Sequence, residues 1–65
     1  MEKKYLCLKN KFDRERGKVL SSGKTYTNIA GAYNFFEFVF TGDDNKPVIM
    51  QNREDFNIYF DKNPK

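Results

Sequence analysis

Residues Phe35 to Asn52 read FFEFVFTGDDNKPVIMQN. Two apolar runs flank a polar turn, the pattern of a β-hairpin. Asp43 and Asp44 can bond nearby backbone amides, while Gly42 and Asn45 tolerate positive φ. Pro47 opens the returning strand, a position where the missing N–H does no harm. Between Phe35 and Phe40 only Glu37 is polar, so both faces of the first strand are oily, whereas a small barrel needs only one. A four-residue loop, Gly42 to Asn45, sets Thr41 opposite Lys46, and the pairs then run back through Val39/Val48 to Glu37/Met50. In that register Phe36, Phe38, Phe40 and Ile49 form the core face, and Phe35, Val39, Val48 and Met50 turn outward as a docking patch.

The remaining chain supplies further short β segments. Tyr5-Leu6-Cys7-Leu8 reads as a first strand and Val19-Leu20 as the start of a second. Ser21-Ser22-Gly23 is a turn, and the alternation in Lys24 to Ile29 is that of a half-buried strand. Asn10 to Gly17 is highly charged with a single aromatic, Phe12, and reads as a surface loop. Asn52 to Asp55 can form one helical turn, and Phe56 to Phe60 reads as a closing strand with Phe56 and Ile58 on one face. The result is one all-β domain over residues 1–65: a small five-stranded barrel or antiparallel meander, with at most one short helical turn and a frayed tail at 62–65.

Sixty-five residues support only a small core, with a net stability of no more than about 3–5 kcal/mol. One cysteine, Cys7, excludes a disulfide within the chain and fits a reducing compartment. The absence of histidine removes the usual base for a Ser or Cys nucleophile and argues against a soft metal site. No cofactor is expected. Cys7 lies in an apolar strand, where thiols are ordinarily packing groups. Asp43-Asp44 reads as turn chemistry and lacks the spaced ligands of a calcium loop. The longest apolar runs are too short for a signal peptide or membrane span, so the reading is a soluble, cytoplasmic protein. Net charge is +3, unevenly placed: residues 1–24 hold eight basic and three acidic side chains, and the rest of the chain is net acidic.

The segments Leu20-Ser-Ser-Gly-Lys-Thr-Tyr26, Gly42-Asp-Asp-Asn-Lys46 and Asn52-Arg-Glu-Asp-Phe56 follow an apolar first strand and a charged loop. In this order they resemble the small SH3-like β-barrel proteins of phages and prophages of Gram-positive bacteria, over Tyr5 to about Phe60. The charged loop after the first strand is longer than usual for that group, and Asn45 stands where a Gly is more common. The resemblance implies an SH3-like fold of phage or mobile-element origin.

A noncatalytic binding module follows. It would act on another protein, a host or defence factor, or on a second copy of itself, with Phe35, Val39, Val48 and Met50 as anchors. The alternative is a nucleic-acid-binding module using Lys9, Lys11, Arg14, Arg16 and Lys18, with Tyr5 and Phe12 interleaved as stacking groups.

Overall fold

The computed structural model describes residues 3–33 and 35–65. The chain is mainly β. It contains β1 (Lys4–Leu6), β2 (Lys11–Asp13), β3 (Gly17–Leu20), β4 (Thr25–Thr27), β5 (Phe38–Thr41) and β6 (Pro47–Met50), with a 3-10 turn at Ala30–Ala32 and one helix, α1 (Arg53–Tyr59). The strands form three antiparallel two-stranded ladders: β1 with β4, β2 with β3, and β5 with β6.

Single bridges knit the ladders together. Asn28 pairs with Phe40, joining β4 to β5, and Cys7 pairs with Phe60 on the other side of β1. Around that second bridge the Leu8 amide donates to Tyr59 and the Asp61 amide donates to Leu6, at 2.7 and 2.9 Å. Residues 62–65 return to β1, where the Lys65 amide donates to the Lys4 carbonyl. The spatial order is therefore C-terminal segment, β1, β4, β5, β6, with the β2–β3 hairpin bonded to the β5–β6 turn, where the Asp43 amide donates to the Val19 carbonyl.

Two expectations about secondary structure are corrected. The charged stretch after β1 is a second hairpin rather than a loop. Asp13 makes its turn by accepting from the amides of Glu15 and Arg16, and those bonds hold its carboxyl below the usual range. The closing strand is a helix. Asn52 caps it by accepting from the Asp55 amide at 2.9 Å, and Glu54 and Asp55 add favourable negative charge to the first turn.

The helix exists because of what it packs against. Phe38 and Phe40 stand two residues apart on β5, about 6.6 Å along a strand. Phe56 and Phe60 stand four apart, about 6 Å along a helix axis. The two spacings match, and the four rings interleave. Phe38 stacks on Phe56 with centroids 3.9 Å apart, and Phe40 stacks on Phe60 at 4.2 Å. Tyr5 meets Phe38, Phe40 and Phe56 edge-on. Val19, Leu20, Tyr26, Val48 and Met50 also belong to the buried cluster. Cys7 is buried in it as well, and burial raises its thiol pKa.

The hairpin register differs from the expected one by a single residue. Phe38 faces Met50, Val39 faces Ile49, Phe40 faces Val48 and Thr41 faces Pro47. The Gly42 amide donates to the Lys46 carbonyl, so the loop has three residues, Asp43 to Asn45, rather than four. Asn45 sits at φ 65°, the left-handed position that closes such a loop. Gly42 is required for close approach rather than for positive φ. A Cβ there would lie 2.8 Å from the Val48 side chain and 3.0 Å from the Val19 carbonyl.

That slip overturns the expected outward patch. Met50 and Val48 turn inward with Phe38 and Phe40, and are 2% and 3% exposed. Val39 is also fully buried; the 3-10 turn abuts β5, and Asn28 and Ile29 bond to its backbone. Ile49, expected in the core, is only half-buried. Of the four proposed anchors Phe35 alone is exposed, at 92%.

Candidate binding groove

The two turn motifs singled out in the sequence meet in space. Asp43 accepts from Ser21 Oγ at 2.6 Å, the Tyr26 hydroxyl at 2.7 Å and Lys24 Nζ at 3.1 Å. The Tyr26 oxygen in turn accepts from the Ser21 amide, and the Asp43 amide donates to the Val19 carbonyl. Beside it Asp44 takes a two-point contact from Arg16, Nε and Nη2 each at 2.6 Å. The same guanidinium donates to the carbonyls of Lys46 and Pro47, and so covers the start of the β6 edge.

These contacts hold both carboxyls at about 2, with the Ser21 and Tyr26 hydroxyls the main causes at Asp43 and Arg16 the main cause at Asp44. Burial, then the bond to Asp43, raises the Tyr26 pKa. Ser21 donates to the Asp43 carboxylate, which its partners hold at about 2 and so make a weak base. The cluster is a knot that closes the fold at this end.

The opposite end carries a groove of about 440 Å³, within the usual range for ligand sites. Tyr5, Phe38 and Phe56 line its floor. Asn28, Ala30, Gly31 and Glu37 form one wall, and Lys3, Arg53 and Lys62 bring three cations to it. Asn28 builds the wall: its Oδ1 accepts from the amides of Ala30 and Val39, and its Nδ2 donates to the Glu37 carbonyl. Its own amide donates to the Lys3 carbonyl, so one side chain and its backbone fix the loop to both β1 and β5. Arg53 reaches Glu37 at 2.6 Å and lies over the Phe38 ring, 5.8 Å from its centroid. Phe35 is two residues from Glu37 in the same loop.

Of the candidate site residues, sequence reasoning reached Phe35 and, as a stacking group for nucleic acid, Tyr5 at this end of the molecule. Lys3, Asn28, Glu37, Arg53 and Lys62 are scattered along the chain, and no local pattern joins them. The alternation places Asn28 within the Lys24 to Ile29 strand, whereas the strand ends at Thr27.

The five cations proposed for nucleic acid divide into two groups. Arg16 is locked in the knot, and Lys11 lies over the Tyr59 ring, 4.7 Å from its centroid. Lys9, Arg14 and Lys18 are exposed and make no salt bridge among the described residues. Phe12, 67% exposed, stands opposite Lys18 in the hairpin.

Among the described residues no group of three His, Cys, Asp or Glu side chains is placed to hold a metal ion. No helix among the described residues is long and apolar enough to cross a membrane. No family model, curated protein or solved structure matches the chain.

Proposed function

We propose that this chain is a noncatalytic protein-docking module of the small SH3-like barrel type, with the groove end as its working surface. The carrying observation is an almost fully exposed Phe35 two residues along the chain from Glu37, which lines the groove together with Lys3, Arg53 and Lys62. An exposed aromatic beside a concave surface is the usual composition of an interaction hot spot. The fold reading is supported by the five-segment order from the C-terminal segment through β1, β4 and β5 to β6, with a helical element just before the last bridge. Together with the resemblance to phage and prophage proteins, this makes an accessory or inhibitory role the favoured one. The module would occupy a surface of a host or defence factor in the bacterial cytoplasm.

Tagged protein incubated with nuclease-treated bacterial lysate should retain a defined partner and lose it on Phe35→Asp, with unchanged circular dichroism. Retention of the same partner by Phe35→Asp and by groove variants would contradict the reading.

The β2–β3 hairpin favours a second reading. Phe12 beside Lys18, with Lys9 and Arg14 exposed nearby, offers a stacking face flanked by cations for single-stranded nucleic acid. That reading requires gel-shift binding that weakens steeply with added salt. Absence of any shift at low salt removes it.

A further inference from the structure

Resting on the docking reading, we propose that the groove receives an acidic segment of the partner protein, and that Glu37 is an internal competitor for that segment's carboxylates. Three cations and one acid line the groove. Lys3 and Lys62 make no salt bridge among the described residues. The remaining cation, Arg53, is held by Glu37 in a pair whose side chains are 68% and 61% exposed. Such a pair is worth little in water, so an incoming carboxylate can replace Glu37 on the guanidinium at small cost.

The guanidinium is already positioned over Phe38, and Arg is the side chain best suited to two-point recognition of a carboxylate. Phe35, in the loop that carries Glu37, supplies an apolar contact beside the charges. Phe38 has Phe56 stacked on it and Arg53 over it, so this ring offers a base little free face; Phe35 is open to either occupant, and the oligonucleotide in the test separates them.

Fluorescence anisotropy tests this with a labelled Asp/Glu-rich peptide carrying one Leu, its Asn/Gln counterpart, and a single-stranded oligonucleotide. The acidic peptide binds, its neutral counterpart does not, and added salt weakens the complex. The double variant Lys3→Glu/Lys62→Glu loses roughly tenfold or more in affinity, while Glu37→Gln binds several-fold more tightly. Urea titration of each variant checks that the fold is intact. An unchanged affinity in the double variant, weaker binding by Glu37→Gln, or preference for the oligonucleotide overturns the proposal. If the acidic peptide fails while Phe35→Asp still abolishes partner capture, the docking reading stands and the acidic occupant falls. If Phe35→Asp and the groove variants all leave capture intact, the docking reading itself falls.

Discussion

The two ends of this molecule use similar side chains to opposite effect. At the knot, Arg16, Lys24, Ser21 and Tyr26 all turn toward Asp43 and Asp44, and the charges are satisfied internally. At the groove, Lys3 and Lys62 line a concave surface without salt-bridge partners among the described residues, and Arg53 holds only an exposed acid. Between them lies the slab of stacked Phe rings, Phe38, Phe40, Phe56 and Phe60, all buried. Charge that is cross-linked within the fold serves stability; on the docking proposal, the charge left open at the groove serves a partner. Substitutions at the two ends should therefore separate stability from binding.

The largest effect is expected in the slab that both ends share. Phe56→Ala should cost about 3–5 kcal/mol, comparable to the entire stability expected of so short a chain. Loss of the cooperative unfolding transition in urea would show it, and a well-folded Phe56→Ala variant would mean that the ring ladder is not what joins the two ends.

Gly42→Ala comes next, because the new methyl meets the Val48 side chain and the Val19 carbonyl. A loss of about 1–3 kcal/mol is expected from overpacking, read as a lower urea midpoint with unchanged slope. A neutral substitution would show that the turn can relax away from β3.

Asp43→Asn removes the acceptor charge of the knot. A cost of about 1–2 kcal/mol is expected, since solvent reaches this carboxylate and screens part of the attraction. The pH dependence sharpens the comparison. Both carboxyls are depressed from 3.8 to about 2 in the folded chain, so the unfolded state binds more protons across that interval. Their stabilisation is complete above the ordinary carboxylate range and is lost as pH falls through about 2. The wild type should weaken steeply between about pH 4 and pH 2, and Asp43→Asn should weaken less over the same window. Equal slopes would place the acid-sensitive groups elsewhere.

The smallest effect on stability belongs to the groove. Lys62→Glu should change stability by no more than about 0.5 kcal/mol, as for an ordinary surface site, while reducing partner affinity. A large loss of stability would mean that the groove cations belong to the fold in the way the knot residues do.

Much of this architecture was legible from local pattern. The hairpin around Gly42 to Lys46, the strands at Tyr5 and Tyr26, and the predominance of β structure all follow from alternation and turn residues. The register was not legible, because three- and four-residue loops are both compatible with GDDN, and a one-residue change exchanges the faces of the returning strand. That change took Val48 and Met50 from the surface to the core. The helix was missed because Phe56, Ile58 and Phe60 alternate as a strand would. Only the fit of Phe56 and Phe60 to the Phe38–Phe40 spacing selects the helix, and that fit is a tertiary property. Asn52 followed by Asp55 was the local sign of its cap. The knot was half legible: both turn motifs stood out, but their convergence on Asp43 required the fold.

The most direct test is a two-dimensional amide NMR titration of the wild-type chain with the acidic peptide. The groove account predicts that the largest shifts fall on Lys3, Tyr5, Phe35, Glu37, Phe38, Arg53 and Lys62, with residues 11–18 and the Asp43–Asp44 turn nearly still. Shifts concentrated on the β2–β3 hairpin, with the groove unmoved, would contradict it.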